Sequence, residues 1–364
     1  MTVRVAVAMS GGVDSSVAAA LLAEQGHDVI GLSMQLYDQR DGQPRFGTCC
    51  TIDDLHDARR VATRLGVPHY IINFESHFHA RVVTPFVDEY VAGRTPIPCT
   101  RCNSDVKFVT LLERSAGLQA DRLATGHSVQ SRQAAHGAWP LHRGADPGKD
   151  QSYFLFALTQ DQLSRALFPV GHLDKASVRA YALDRQLPVA LKPDSQEICF
   201  VPDGDQAAFV ARAAGARTPG PGRIVDREGR VLGTHGGVHR FTVGQRKGLQ
   251  LSVGVPLYVV AIDATAEQVT VGPRSALEQR AARIDGVQWI AGRTPEGPIQ
   301  AEVQIRHRHA PGAAMVLAVD ATQVEVQFAE PQYAITPGQA AVFYHGDEVL
   351  GGGWIASPAA PVRR

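Results

Sequence analysis

The sequence is short of several things at once. Its 364 residues hold five cysteines, three tryptophans and four methionines, and 36 basic side chains cancel 36 acidic ones. Each scarcity excludes something. With zero net charge, the surface as a whole does not attract a polyanion, so any nucleic-acid contact must be a local basic patch. No apolar run approaches the roughly 18 residues that cross a bilayer. The opening MTVRVAVAMS lacks the long apolar region of a secretion signal. We therefore expect a cytoplasmic protein with no membrane partner. In that reducing compartment, five cysteines are read as inert, metal-bound or catalytic before they are read as disulfide staples. No internal repeat or low-complexity tract is present. A composition of 44% hydrophobic and 20% charged residues is that of an ordinary globular chain, and the length predicts two or three domains.

The first part of the chain alternates strands with helices. VRVAVAM, DVIGLSMQLY, HYIINF and DRLATGH read as strands. The segments from Ser15 to Gly26, 53–66, 77–93 and 107–117 read as helices. That order predicts an α/β domain with a doubly wound parallel sheet, whose ligands sit beyond the carboxyl ends of the strands. Residues 152–187 read as mostly helical, and GARTPGPGR at 215–223 as a linker. Short strands follow: LYVVAID, QVTVGP, AEVQIRH, MVLAVD, QVEVQF and AAVFYH, spaced as in small β-barrels. The expected domains are residues 1–214, a central β-rich unit at 215–275 and a C-terminal barrel at 276–364.

SGGVDSS, Ser10 to Ser16, lies between the first strand and its helix. Glycines let backbone N–H groups approach a phosphate closely, and a helix N-terminus favours its charge. Asp14 is unusual in an anion site; it makes sense where Mg²⁺ bridges it to phosphates. By itself such a string is also an ordinary capped turn. TPIPCTRCNSDVKF places Cys99 and Cys102 in a C-x-x-C, which is half a zinc site, a redox dithiol, part of an iron–sulfur site or an accident of spacing. Cys199, between Ile198 and Phe200 in KPDSQEICFV, reads by type as a buried hydrophobe. In GKDQSYFLFAL, Lys149 and Gln151 open an apolar helix, where they are either an exposed start or contacts for phosphates.

SGGVDSS following the first strand resembles the phosphate loop of the PP-loop ATP pyrophosphatases, which cleave ATP to AMP and pyrophosphate. That resemblance implies that Ala8, Met9, Ser10, Gly11, Gly12, Val13, Asp14 and Ser15 cradle ATP, with Met34 and Gly126 bordering it. Taken with GRTPIPCTRCNSDVKF, ATGH, KDQSYFL, KPDSQEICF, FTVGQRKGL and TPGQAAVFY, nearly the whole chain is similar to the tRNA-specific 2-thiouridylase family. The resemblance implies a PP-loop (HUP-type) first domain and ATP-dependent 2-thiolation of the wobble uridine of tRNA. It implies Cys102 as the nucleophile and Cys199 as carrier of a persulfide from a sulfur donor or relay protein. A Cys102–Cys199 disulfide would then be reopened by a reductant.

The same resemblance draws tRNA contacts from His127, Lys149, Asp150 and Gln151, from Arg306, His307 and Arg308 in IRHRHA, and from Gln339 in TPGQ. IRHRHA, with His309, and Arg240, Arg246 and Lys247 in HRFTVGQRKGL read equally as solvated strand faces. Two departures stand out. Many family members have aspartate at the position of Cys99, and tyrosine at that of Ser128. A cysteine at 99 opens a second reading, in which Cys99, Cys102 and Cys199 hold a [4Fe–4S] cluster with one open iron. A zinc site would draw a fourth ligand from Cys49 or Cys50, which otherwise read as structural. The rival functions are a PP-loop ligase or amidotransferase acting on a small metabolite, which needs neither Cys102 nor Cys199, and a non-catalytic RNA-binding module.

Overall fold

The structure is a computed structural model and describes residues 2–36, 52–194, 198–201 and 204–358. The first sheet is built from β1 (Arg4–Ala8), β2 (Asp28–Gln35), β3 (His69–Asn73), β4 (Arg122–Thr125) and a two-residue strand Ala166–Leu167, in the order β3-β2-β1-β4 and then Ala166–Leu167, all parallel. β1 is a near-continuous apolar run because both of its faces are covered. Val5 and Val7 pack under α1 (Val13–Glu24), α2 (Ile52–Leu65) and a later helix, Lys175–Asp184. Ala6 faces a second cluster formed by the helices between β3 and β4. α1 is buried almost all round by valines and alanines, whose small size lets it sit close to the sheet and to both neighbouring helices. β3 is an edge strand, and its Tyr70 and Ile71 are exposed.

Between β3 and β4 the chain is almost entirely helical. α3 (Glu75–Phe78) runs through a π-helical segment, His79–Val83, into α4 (Thr84–Val91). After a short turn α5 (Pro98–Arg101) runs through a longer π-helical segment, Cys102–Leu111, into α6 (Leu112–Gly117). After β4 come β5 (Val129–Gln130), β6 (Leu141–Arg143), α7 (Gln160–Arg165), β7 (Ala166–Leu167), α8 (Lys175–Asp184) and α9 (Gln206–Ala214). The span 152–187 is thus less helical than its composition predicts, and it contributes the fifth sheet strand, β7.

The central unit is a four-stranded sheet of β8 (Gly222–Val225), β9 (Val231–His235), β10 (Tyr258–Asp263) and β11 (Gln268–Gly272) in the order β10-β11-β8-β9. β8 begins inside the expected linker. The last unit is a closed antiparallel barrel of β12 (Glu278–Trp289), β13 (Ile299–Gln304), β14 (Gly312–Ala318), β15 (Gln323–Tyr333), β16 (Ala340–His345) and β17 (Glu348–Pro358). β12 pairs with both β15 and β17, which closes it. In β15, Val324, Val326 and Phe328 point inward and alternate with Glu325 and Gln327.

The barrel is joined to the first unit by hydrogen bonds as well as by packing. β17 pairs with β6, opposing Val349 to Leu141. A Cβ on Gly352 would lie 2.7 Å from the Ala341 carbonyl oxygen and 2.8 Å from the Phe156 ring, so only glycine fits there. Tyr153 donates to the Ala340 carbonyl at 2.9 Å. Tyr153, Phe156, Val342 and Tyr344 belong to one buried cluster that crosses the boundary.

Candidate active site

The sheet order reverses between β1 and β4, and the loop after β1 lies at that crevice. Met9 N donates to Leu32 O at 2.8 Å, and Met9 O accepts from Ser33 Oγ at 2.6 Å, so the loop's start is an extension of β1. Gly11 takes a left-handed φ of +73°; a Cβ there would meet the Asp54 carbonyl oxygen at 2.2 Å. Ser15 is buried and builds the loop: its Oγ lies 3.2 Å from Ser10 N and donates to Gly12 O at 3.1 Å. Ser16 Oγ donates to the same carbonyl at 2.8 Å. Gly126, just past β4, closes the crevice, since a Cβ there would sit 2.5 Å from Ser15 N. Ala8 to Ser15 and Gly126 are therefore gathered at one place. Met34 lies near the end of β2, buried within the cluster under α3–α6.

A ring of charge that motif reading missed surrounds this loop. Lys175, the first residue of α8, donates to both carboxylate oxygens of Asp14 at 2.7 and 2.9 Å and to Asp194 at 2.8 Å. Lys149 and Arg179 also bind Asp194, at 2.7 and 2.9 Å. Burial opposes ionisation of Asp194, but the hydrogen bonds from Lys149 and Lys175 prevail and hold it at about 2. Lys192 reaches Gly11 O at 3.1 Å and both Asp54 and Asp57 at 2.6 Å. Burial works to lower the Lys192 ammonium, and the two aspartates overcome it and raise it. Lys192 and Asp194 lie in the KPDSQEICF string, whose cysteine drew attention away from them. Lys175 carries no motif at all.

Cys102 opens the long π-helical segment and is buried, within the cluster that also holds Phe78 and Phe86. Cys199 is half-buried and packs against that same cluster. Its neighbour Phe200 is fixed edge-on against Phe78 and Phe86, with ring centroids 5.7 and 5.0 Å apart. The two residues that lie 97 positions apart thus border one apolar core. π-Helical turns are frequent at functional sites because they re-aim side chains within a helix. Here, Asn103 reaches the Phe154 carbonyl at 3.3 Å. Cys99 is exposed on α5. Among the described residues no three Cys, His, Asp or Glu side chains converge to hold a metal ion. Cys99, Cys102 and Cys199 do not form such a group. Cys49 and Cys50 lie outside the described residues.

The residues expected at tRNA take varied positions. His127 accepts or donates at 2.9 Å with Thr125 Oγ1; burial, then the Lys107 charge, push its imidazole down to about 3, so it is neutral. Gln151 Oε1 accepts from Ser128 N at 2.9 Å, which ties the β4–β5 turn to the segment that follows Lys149. The Asp150 carboxylate accepts from Arg143, Gly144 N, Ser152 N and Ser152 Oγ; it organises its own loop. Arg306, His307 and Arg308 do not lie on a strand face. They form an exposed turn between β13 and β14, with Arg308 at a φ of +63°. The His307 ring stacks 4.6 Å from Phe154, whose carbonyl Asn103 holds, so this basic turn neighbours the Cys102 helix. Gln339 Nε2 donates to Thr95 O at 2.8 Å.

Residues 3–203 match the tRNA methyl transferase HUP domain, 207–273 the tRNA methyl transferase PRC-barrel domain, and 279–355 the aminomethyltransferase beta-barrel domain. The tRNA-specific 2-thiouridylase MnmA of Geotalea uraniireducens is 53% identical over 97% of this chain and 94% of its own length. Those of Geobacter metallireducens and Solibacter usitatus are each 52% identical, over 97% and 96% of this chain and 96% and 98% of their own lengths. The chain belongs to the tRNA-specific 2-thiouridylase family.

Proposed function

We propose that the protein is an ATP-dependent tRNA-uridine 2-sulfurtransferase. The observation that carries this reading is that Cys102 and Cys199, far apart in sequence, border one apolar core, in a chain that also builds a glycine-rich phosphate loop after β1 and a basic turn whose His307 ring lies 4.6 Å from Phe154. ATP, with Mg²⁺ as part of the bound nucleotide, occupies the loop of Ala8 to Ser15 beside Met34 and Gly126. Asp14 would hold the metal through its carboxylate, which Lys175 pairs with at 2.7 Å.

The uracil C2 oxygen attacks the α-phosphorus of ATP, and pyrophosphate leaves with the bonding electron pair. C2 now carries AMP as a leaving group. Water competes for that carbon, so sulfur is better delivered from an enclosed, protein-bound source. A persulfide on Cys199, loaded by a sulfur donor protein, attacks C2 through its outer sulfur and expels AMP. The Cys102 thiolate then attacks Cys199 Sγ. The S–S bond breaks, its electrons stay on the sulfur bound to C2, and the products are 2-thiouridine and a Cys102–Cys199 disulfide. A dithiol reductant restores both thiols.

His127, Lys149, Gln151, Arg306, His307, Arg308 and Gln339 are proposed to border the tRNA, Lys149 where the RNA meets the phosphates of the nucleotide, with Asp150 fixing the loop that carries two of them. Domain boundaries near 214 and 275 are supported by the end of α9 at Ala214 and the start of β12 at Glu278. The test is mass spectrometry of tRNA nucleosides after incubation with ATP, a persulfide source and the protein. A mass gain of sulfur for oxygen at uridine is expected, with one AMP per thiolation. AMP release independent of tRNA, with no thionucleoside, would favour a small-metabolite ligase instead.

A further inference from the structure

Beside the phosphate loop, three cations from two separate segments converge on one carboxylate. Asp194 Oδ2 accepts from Lys149 at 2.7 Å, while its Oδ1 accepts from Lys175 at 2.8 Å and Arg179 at 2.9 Å. Their roles differ. Arg179 also donates to the carbonyls of Ala190 and Lys192, both at 3.1 Å, so it is tethered to the backbone that carries Asp194. Among the described residues the lysines have no backbone acceptor. Lys175 is 14% exposed and bridges from Asp194 to Asp14 inside the loop. It stands on α8, whose Val178 and Ala182 pack into the same core as Val13 and Val17 of α1, so its distance from the loop is set by a rigid contact.

Lysine–carboxylate contacts such as those of the largely buried Lys175 with Asp14 and Asp194 are a poor device for stability, because desolvation cancels much of the attraction. They are a good device for receiving a larger anion. Phosphate oxygens outnumber carboxylate oxygens, and charge-assisted bonds to them are strong. We propose that Lys175 and Lys149 are ligands of the β- and γ-phosphates of ATP and of the pyrophosphate that leaves, and that Asp194, held by Arg179, is the residue that positions them. The proposal rests on the ATP reading above and names the ligands for the half of the nucleotide that departs. When the bond between the α-phosphorus and the bridging oxygen breaks, its electron pair stays on pyrophosphate. Negative charge therefore grows where these two ammonium groups lie, and cations fixed there lower the barrier.

The test is calorimetric titration of the full chain with three probes: AMP, ATP and inorganic pyrophosphate. Lys175→Met should weaken pyrophosphate and ATP by about 10- to 100-fold, the loss of one charge-assisted contact, and leave AMP binding unchanged. Lys175→Arg should recover most of the affinity. Retained AMP binding shows that the variant is folded. Lys149→Met, on an exposed loop, is the second variant should Met at 175 prevent folding, and should give the same split. Unchanged pyrophosphate affinity in the variants overturns the proposal, as does an equal loss of AMP and pyrophosphate, which would make the lysines mere scaffold. Wild-type protein that binds neither AMP nor ATP sinks the nucleotide reading itself, and this proposal with it.

Discussion

The side-chain amide of Gln339 donates to the backbone carbonyl of Thr95 at 2.8 Å, across 244 positions of sequence. Thr95 is held twice more: its N–H donates to Pro337 O at 2.9 Å, and its hydroxyl donates to Thr242 Oγ1 at 3.1 Å. All three units of the fold therefore meet on a residue four positions before Cys99. The barrel and the central sheet fix where the Cys102 helix begins. Gln339→Ala should remove about 1 kcal/mol of that restraint, roughly a five-fold drop in correctly seated loops. Single-turnover thiolation should slow by that factor while ATP affinity stays constant; an equal fall in both would place the residue in the nucleotide site.

Gly126→Ala should abolish ATP binding. Its Cβ would overlap Ser15 N at 2.5 Å and Asp14 C at 2.6 Å, both backbone atoms that cannot swing aside. The loop must shift or β4 must retreat. Nucleotide titration reads the loss, and near-native affinity in a folded variant would show that the crevice is more compliant than its packing.

The two cysteines should fail differently. Cys199→Ala should accept no labelled sulfur from a persulfide donor and form no thiouridine. Cys102→Ala should still load Cys199, then stall with sulfur retained on the protein. Equal loading of the Cys199 variant and the parent would reverse the assignment of roles.

Charge reversal in the β13–β14 turn, Arg306→Glu with Arg308→Glu, should weaken tRNA binding about 10-fold or more at low salt and flatten its salt dependence. ATP affinity should not change. An unaltered filter-binding curve would move the RNA away from this turn.

Acid should destabilise the fold. Burial lowers His127 to about 3, and burial is also the first cause that lowers His235 and His239. These imidazoles are neutral when folded and become charged in the unfolded chain below the ordinary value of 6.5. Between 6.5 and the lowered values the unfolded state binds more protons, so stability rises with pH across that window and falls on acidification. Urea midpoints should drop steadily from about pH 7 to about pH 4, and His127→Gln should remove part of the slope. A flat profile would contradict the burial of these rings.

Strand–helix alternation was enough to read the parallel sheet, and string motifs were what singled out the loop and both cysteines as candidates. What escaped had physical reasons. β17 contains Gly351, Gly352 and Gly353, and glycine runs argue against a strand; here they exist because Ala341, Gln288 and Phe156 approach too closely for a side chain. β12 mixes Arg, Asp and Gly into its length and shows little apolar alternation. IRHRHA alternates like a strand, yet its residues turn at Arg308. Lys175 meets Asp14 across 161 positions, and a contact of that span leaves no local signature.

The pairing of β6 with β17 sets a timetable for synthesis. Leu141 leaves the ribosome about two hundred residues before its partner Val349, which at about 5–20 residues per second is a wait of roughly 10–40 seconds. During that interval the first domain presents an open strand edge and the apolar rings of Tyr153 and Phe156, whose cover is the barrel's last strands. The nascent chain therefore exposes this apolar surface until β17 is made, and a chain cut short before β17 should be adhesive as well as inactive.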